Sequence, residues 1–422
     1  MLQGQKPKNI KYSNHKAVFS ALRQGECMTI GDIARKIKLS NTAVSKIVNV
    51  LQKNDMICAV GKRASTNEGG KRAELFSLNR DYRYCMVLMA NADWLTCYIY
   101  DMCCVLRHTK KCDVYNAAYT DYVDACASLI VETLKEAGID PSRVLGCCVV
   151  APGIVDSVRG EYVYPIWSPS WGSGLPIIAD LKARLPFAMD MQLENNSRIG
   201  GYVEGSNCKS DSYVSVISIY DEDEYSGKQG IGGSVVNHHA VRHGAGGYVG
   251  EFGHLTVDYG DGETCLCGRK GCLQVMVSAM RLLQNVRERR EKYPGSPLWE
   301  AEKEGKIRMQ QIFDAANAGD PLAMEVMDMA IEYYARAIEH IILTIDPAVI
   351  YIGGAYTNAG EYFRKGLNER VRHAGLFGNM NNLEICYSHY DTFEAVHLGA
   401  AMYLLDKYLG NEKTFSEIER AL

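Results

Sequence analysis

From Asn14 to Leu51 the apolar residues recur every three or four positions, the spacing of one helical face. Asn14–Arg23 puts Ala17, Val18, Ala21 and Leu22 on such a face. Thr29, with Asp32 three residues on, reads as a capping-box start for a second helix, with Ile30, Ile33, Ala34 and Ile37 inward. Ser40 caps a third helix, with Val44, Ile47, Val48 and Leu51 inward. Only the short turn Lys38–Ser40 separates these two, which is helix-turn-helix spacing. The pattern then shifts to two strand-like runs, MICAV and AELFSLN. The polar, glycine-rich stretch GKRASTNEGGKR between them predicts a hairpin wing.

After Tyr82 the texture becomes α/β. CMVLMANADWLTCYIYD predicts a strand, a turn and a second strand. YVDACASLIVETLKEAG is an amphipathic helix, and VLGCCVVAPGIVD a buried strand running into a loop. AMDMQLENNSRIGGYVEG is a strand opening a helix. YVSVISIYDEDEYSGKQGIGGSVVNHHAVRHG is a hairpin with glycines after its acidic tip. DPLAMEVMDMAIEYYARAIEHIILTI is a long helix with Asp320 as cap and Pro321 at its first position. AVIYIGGA is a strand ending in glycines. Strands alternating with helices imply parallel or mixed sheets flanked by helices. No internal repeat is visible, and Leu78–Tyr82 is the boundary between head and body. At 422 residues the chain is too long for one core.

Charge sharpens that boundary. Residues 1–80 hold 15 Lys and Arg against 5 Asp and Glu, a net +10; the remainder holds 31 against 45, a net −14. A basic head on an acidic body suits a polyanion, with duplex DNA favoured over a protein partner. Asn41, Thr42, Ser45 and Lys46 are the candidates for the major groove, and Lys71 and Arg72 of the wing for phosphate or the minor groove. No run approaches ~20 apolar residues and the N-terminus lacks a hydrophobic signal core, so the expectation is a cytoplasmic protein without membrane contact.

The 15 cysteines are mostly scattered, as reduced small hydrophobes would be. GETCLCGRKGC is different. With His254 eleven residues before Cys265, the residues His254, Cys265, Cys267 and Cys272 make a Cys3His set suited to tetrahedral zinc. Gly268 and Gly271 allow the tight turn such a set needs. One structural zinc per chain is the expectation; a redox pair or reduced loop cysteines are the alternatives.

GYVGEFGHLTVDYGDGETCLCGRKGCLQ, QGIGGSVV, VVAPGIVD, LENNSR and YIGGA, in this arrangement, resemble the ROK (repressor, open reading frame, kinase) family. With the winged helix in front, the resemblance covers nearly the whole chain and is near the family's sugar-responsive repressors. It implies an α/β, two-lobed actin-like ATPase fold with a sugar cleft, preceded by an α+β winged helix-turn-helix domain. Residues 1–80 would be the head, 81–190 plus 391–422 the first lobe, and 191–390 the second lobe with the zinc loop and dimer contacts. It also implies zinc at the four residues named above and a homodimer or homotetramer. Sugar contacts fall on Gly153, Asn195, Asn196, Glu251 and His254. Gln274, where the family has a glutamate, is a further sugar contact on this resemblance, neutral but still able to bond a hydroxyl. The sugar loop reads Trp167-Ser168-Pro169-Ser170-Trp171, without the family's Asn.

Two further departures concern catalysis. Asn196 stands where the family's kinases carry their catalytic Asp, and an amide cannot accept the hydroxyl proton usefully. The family's phosphate turn, Asp-x-Gly-Gly-Thr, here reads Asn91-Ala92-Asp93-Trp94-Leu95, with an acid and an indole in place of two glycines. The expectation is therefore a non-enzymatic transcription regulator, a repressor answering to a sugar or sugar phosphate. A sugar kinase with a DNA-binding head and a ligand-independent regulator with a vestigial cleft are the alternatives.

Overall fold

A computed structural model of the chain describes residues 7–23, 27–63, 72–220, 229–238, 240–260, 262–305, 307–372 and 383–410. The head holds α1 (Pro7–Arg23), α2 (Ile30–Ile37), α3 (Asn41–Lys53), β1 (Ile57–Lys62) and β2 (Glu74–Leu78). The capping box forms as the sequence predicts: Thr29 Oγ1 accepts from the Asp32 amide at 3.2 Å, and Asp32 Oδ2 accepts from the Thr29 amide at 3.1 Å. Such a cap stabilises a short helix by about 1 kcal/mol. Lys38 takes φ +57° and turns the chain into α3. The inward face of α1 is Val18, Phe19, Ala21 and Leu22, with Ala17 only half-buried. β1 and β2 pair antiparallel as the wing's base, and Lys71 lies outside the described residues.

The first lobe holds β3 (Tyr84–Ala90), β4 (Trp94–Tyr100), β5 (Leu106–Asp113), α4 (Tyr119–Ala137), β6 (Val144–Ala151), β7 (Ile154–Asp156), β8 (Glu161–Tyr164), α5 (Ile177–Arg184) and β9 (Met191–Asn195). Then come α6 (Asn196–Gly200), β10 (Ser212–Tyr220), β11 (Gln229–Asn237), β12 (Ala240–Val241), α7 (Leu273–Met276), α8 (Ala279–Glu288), α9 (Leu298–Glu304), α10 (Met309–Asn317) and α11 (Pro321–Ile345). β13 (Val349–Gly354), α12 (Gly360–Arg372), β14 (Glu384–Tyr387) and α13 (Thr392–Gly410) complete the body.

Two five-stranded sheets result, in the orders β5-β4-β3-β6-β9 and β12-β11-β10-β13-β14. Each joins an antiparallel meander to two further parallel strands. The lobes therefore share one plan, although the sequence shows no repeat. β9 pairs with β6 from Cys147↔Met191 to Ala151↔Asn195. The boundary expected at 190/191 thus falls one strand early, because the first sheet runs to Asn195. α13 returns to the first lobe and packs on β3 and β6, as well as on α6.

The head does not hang on a free linker. Its core is continuous with α13, from Val18 and Leu22 to Ala401 and Leu405. Arg23 on α1 donates to Asp406 on α13 at 3.0 Å, and the Tyr202 hydroxyl donates to the same carboxylate at 2.9 Å. Burial opposes the Arg23 charge, and Asp406 more than restores it. Among the described residues no helix is long and apolar enough to cross a membrane.

Candidate ligand cleft, metal cluster and nucleic-acid face

The strand ends of both sheets open on one cleft. From the first lobe it takes the β3–β4 turn, the Pro152–Gly153 step and the loop at Ile166–Trp167; from the second, β11 and the turn at Glu251–His254. Asn195 ends β9 and caps α6. Its Oδ1 accepts from the Arg198 amide at 2.9 Å, and its Nδ2 donates to the Gly153 carbonyl at 2.8 Å. The Asn195 amide thus holds two walls of the cleft together. Asn196 follows at the cleft edge. Its Oδ1 accepts from the Ser197 amide at 2.8 Å, and its NH2 has no protein partner among the described residues. Gly153 takes φ +95°, and a Cβ there would stand 2.5 Å from the Tyr164 carbonyl, so only glycine fits.

Glu251 and His254 face the same space. Burial pushes the Glu251 carboxyl up to about 7, with Arg198 drawing it back. Arg198 is itself buried. It donates to the carbonyls of Gly247 and Val249 and lies 3.8 Å from Glu194, which accepts from His243 Nε2 at 2.8 Å. This Glu194–Arg198–His243 set anchors the 243–251 loop to β9 and α6. Sequence reasoning missed it, although Glu194 and Arg198 stand four apart within LENNSR.

Trp94 lies in the lining. Its ring tilts against Phe393 of α13 at 6.2 Å between centroids, and Lys111 lies over it at 5.2 Å. Asp93 lines the cleft beside it. Trp167 also lines the cleft, while Ser168 does not. Trp171 turns away: its Nε1 donates to Ala117 O and its ring packs on Tyr122.

Behind the polar wall lies the cysteine cluster. One donor atom from each of His254, Cys265, Cys267 and Cys272 falls within 4.8 Å of the others. His254 Nδ1 stands 3.6 Å from Cys265 Sγ, as Cys267 Sγ does from Cys272 Sγ. Gly271 takes φ +69°, where a Cβ would drive into the Asp258 carbonyl. Burial opposes ionisation of Cys267, yet bonds from Arg269 and the neighbouring thiols outweigh it and bring the thiol down to about 7. Burial and Arg269 keep His254 neutral, the form that ligates. This set could hold a metal. Gln274 touches both sites: its Nε2 donates to Cys265 Sγ at 3.3 Å, and its Oε1 accepts from the Ile231 amide at 3.5 Å. It lines the cleft, but its amide already joins the cluster to β11.

On the head, Asn41, Thr42 and Lys46 are exposed along α3, Ser45 is half-buried, and Arg72 is exposed on the wing. Asn49, four residues after Ser45, is exposed on the same face; the sequence reading omitted it.

The comparisons with known proteins agree with this layout. Over 397 residues the chain is 23% identical to the DNA-binding transcriptional dual regulator NagC of Escherichia coli K12, covering 92% of this chain and 91% of that one. It is 28% identical over 243 residues to a glucokinase of Thermotoga maritima, covering 57% of this chain and 73% of that one. In three dimensions it is similar to a ROK family transcriptional regulator, a homologue of the E. coli MLC protein, with a TM-score of 0.74 at 22% identity over 97% of this chain and 99% of that one. The ROK family model matches residues 99–407, and with the two-lobed body around the cleft this shows that the chain belongs to the ROK family.

Proposed function

We propose that this chain is a sugar-responsive, DNA-binding transcription regulator, a repressor in sign, whose kinase-like body transfers no phosphate. One observation carries the reading. α13 lines the cleft at Phe393 and clasps the head at Asp406, so one helix spans ligand site and DNA-binding head over about 20 Å. The whole-length similarity to a DNA-binding regulator and the exposed face of α3 support it.

In this reading a sugar in the cleft bonds the Asn196 amide, Glu251 and His254 Nε2, with the Gly153 backbone against its ring. Its differential contacts with open and closed lobes shift their populations. α13 and the Arg23–Asp406 pair carry that shift to the head, and in a homodimer the spacing of two heads, hence operator affinity, changes with it. The partner is duplex DNA, which puts the chain in the cytoplasm.

The metal of the cluster is zinc in this reading. Tetrahedral Zn²⁺ with ~2.3 Å bonds to sulfur would hold its ligand atoms about 3.8 Å apart, and the 3.6 Å separations fit that. When bound, zinc supplies structural cross-linking, with four protein ligands and no open position. The chain's own residues do the rest: His254 turns one ring nitrogen to the cluster and the other to the cleft, and Gln274 braces Cys265 against β11.

Phosphoryl transfer lacks its parts. Asn196 cannot take a proton, and Asp93 and Trp94 stand where phosphates would enter. The test is operator selection from genomic DNA with the full-length protein, then fluorescence anisotropy on the selected duplexes across a salt and sugar series. Expected are inverted repeats, affinity that falls steeply with salt, and release by one sugar. No selected duplex above non-specific binding would sink the reading.

A further inference from the structure

Resting on the sugar-responsive reading, we infer that Glu194 and His243 are positioning residues for the ligand wall: from outside the cleft lining they latch the 243–251 loop, with Glu251 on it, to the first lobe. Glu194 lies on β9, one residue before Asn195, with 2% of its side chain exposed. Its two oxygens take bonds from both lobes. Oε1 accepts at 2.8 Å from Nε2 of His243, two residues past β12 in the second lobe. Oε2 accepts at 3.2 Å from Oγ of Ser157, in the turn from β7 to β8 of the first. Arg198 lies 3.8 Å from the same Oε2 and donates to the carbonyls of Gly247 and Val249, so the buried pair grips the loop at its start and its middle. Gly247 closes the contact. At φ +77° its backbone runs so near β7 that a Cβ would stand 2.2 Å from the Val155 carbonyl oxygen.

Four residues after Gly247 the loop delivers Glu251 to the cleft. Burial opposes the Arg198 charge, and Glu194 and then Glu251 draw it back, so one guanidinium answers to the latch and to the ligand wall. A hydrogen bond to a carboxylate shielded from water holds more than one at the surface. Breaking a latch bond loosens the start of the loop and leaves Glu251 to be ordered by the ligand itself, which weakens binding although no ligand contact has changed.

The experiment leaves the buried pair intact, since removing Glu194 or Arg198 would strand the other charge. His243→Leu and Ser157→Ala each remove one donor, and His243→Gln supplies an N–H again. In the full-length protein, hydrogen exchange of residues 244–251 is expected to quicken about tenfold in His243→Leu and to return near the wild-type rate in His243→Gln. Calorimetric titration uses glucose, xylose, N-acetylglucosamine and their phosphate esters. The one that binds is expected to bind about tenfold more weakly in His243→Leu and about threefold in Ser157→Ala. Both act through one carboxylate, so the double variant is expected to lose less than the product of the two. Operator affinity without sugar is expected to stay within about twofold of wild type, which a folding defect would not allow. Unchanged exchange in His243→Leu, no rescue by His243→Gln, or an unmoved sugar affinity overturns this inference and leaves the sugar-responsive reading standing. If nothing in the panel binds the wild type while the operator is still bound, the sugar-responsive reading falls and this inference with it.

Discussion

On one side of the cleft, Gly153, Asn196, Glu251 and His254 line it with backbone and polar groups, braced from behind by the cysteine cluster and the buried Arg198. On the other, Asp93, Trp94 and Phe393 present a carboxylate and two rings. The first side has what ground-state recognition needs: hydrogen-bonding groups held in place. On the proposed reading, the second side offers transfer no base and no open phosphate turn. Binding and chemistry are thus separable within one cleft, and a chain can keep the former for regulation. Asn196 is the hinge of that contrast, since it lines the cleft with an amide, which can bond a hydroxyl and cannot take its proton.

The largest expected effect comes from removing the brace of the polar side. Cys272→Ser takes away a buried cluster residue. Metal content is expected to drop well below one per chain, and stability to fall by on the order of 4–5 kcal/mol, the range reserved for a lost metal or disulfide. Elemental analysis and thermal denaturation read both. Unchanged melting with the metal lost would show that the polar side stands without its brace.

A milder change tests the same brace through one atom. Gln274→Met removes the N–H that donates to Cys265 Sγ and keeps the bulk of the side chain. Metal dissociation is expected to rise about 10–100-fold, as for other partners of metal ligands. Competition with a chelator measures it. Equal affinity would mean that the contact does not tune the cluster.

Much of this was legible in the sequence where the signal is local. Thr29 and Asp32 stand three apart and form the cap, and Cys265, Cys267 and Cys272 lie within eight residues and converge. Roles set by distant partners were not. Asn195 reads as a sugar contact, yet its amide caps α6 and bonds Gly153, 42 residues away. Gln274 reads as a sugar contact, yet Cys265 and Ile231 engage its amide. Arg23 meets Asp406 across 383 residues, and no periodicity in either helix announces it. The edge strand β9 was assigned to the wrong lobe because its pairing with β6 is a non-local choice.

That long-range pair gives the next test, of whether the head senses the cleft at all. Arg23→Ala removes the α1–α13 ion pair while Tyr202 still donates to Asp406. The pair is about four-fifths buried on both sides, so its loss should cost about 1–2 kcal/mol of coupling. The expected outcome is a sugar effect on operator affinity reduced about tenfold. Anisotropy with and without the sugar reads it. A full sugar response in the variant would move the coupling path elsewhere.

The smallest expected effect is none. Asn196→Asp puts a carboxylate at the cleft, and a base near the sugar hydroxyl is one requirement of transfer. It does nothing for the other side of the cleft. Asp93 still opposes the γ-phosphate, Trp94 still occupies the turn with Phe393 behind it, and the space beside Gly353–Gly354 stays near 10 Å³, about one water. Transfer rests on positioning and charge more than on the base, so a base alone cannot recover it. A coupled assay with Mg-ATP over a sugar panel is expected to show ADP release at background for both proteins. Sugar-dependent release in Asn196→Asp would show that the aromatic side yields to nucleotide, and that a single atom pair at residue 196 separates regulator from kinase.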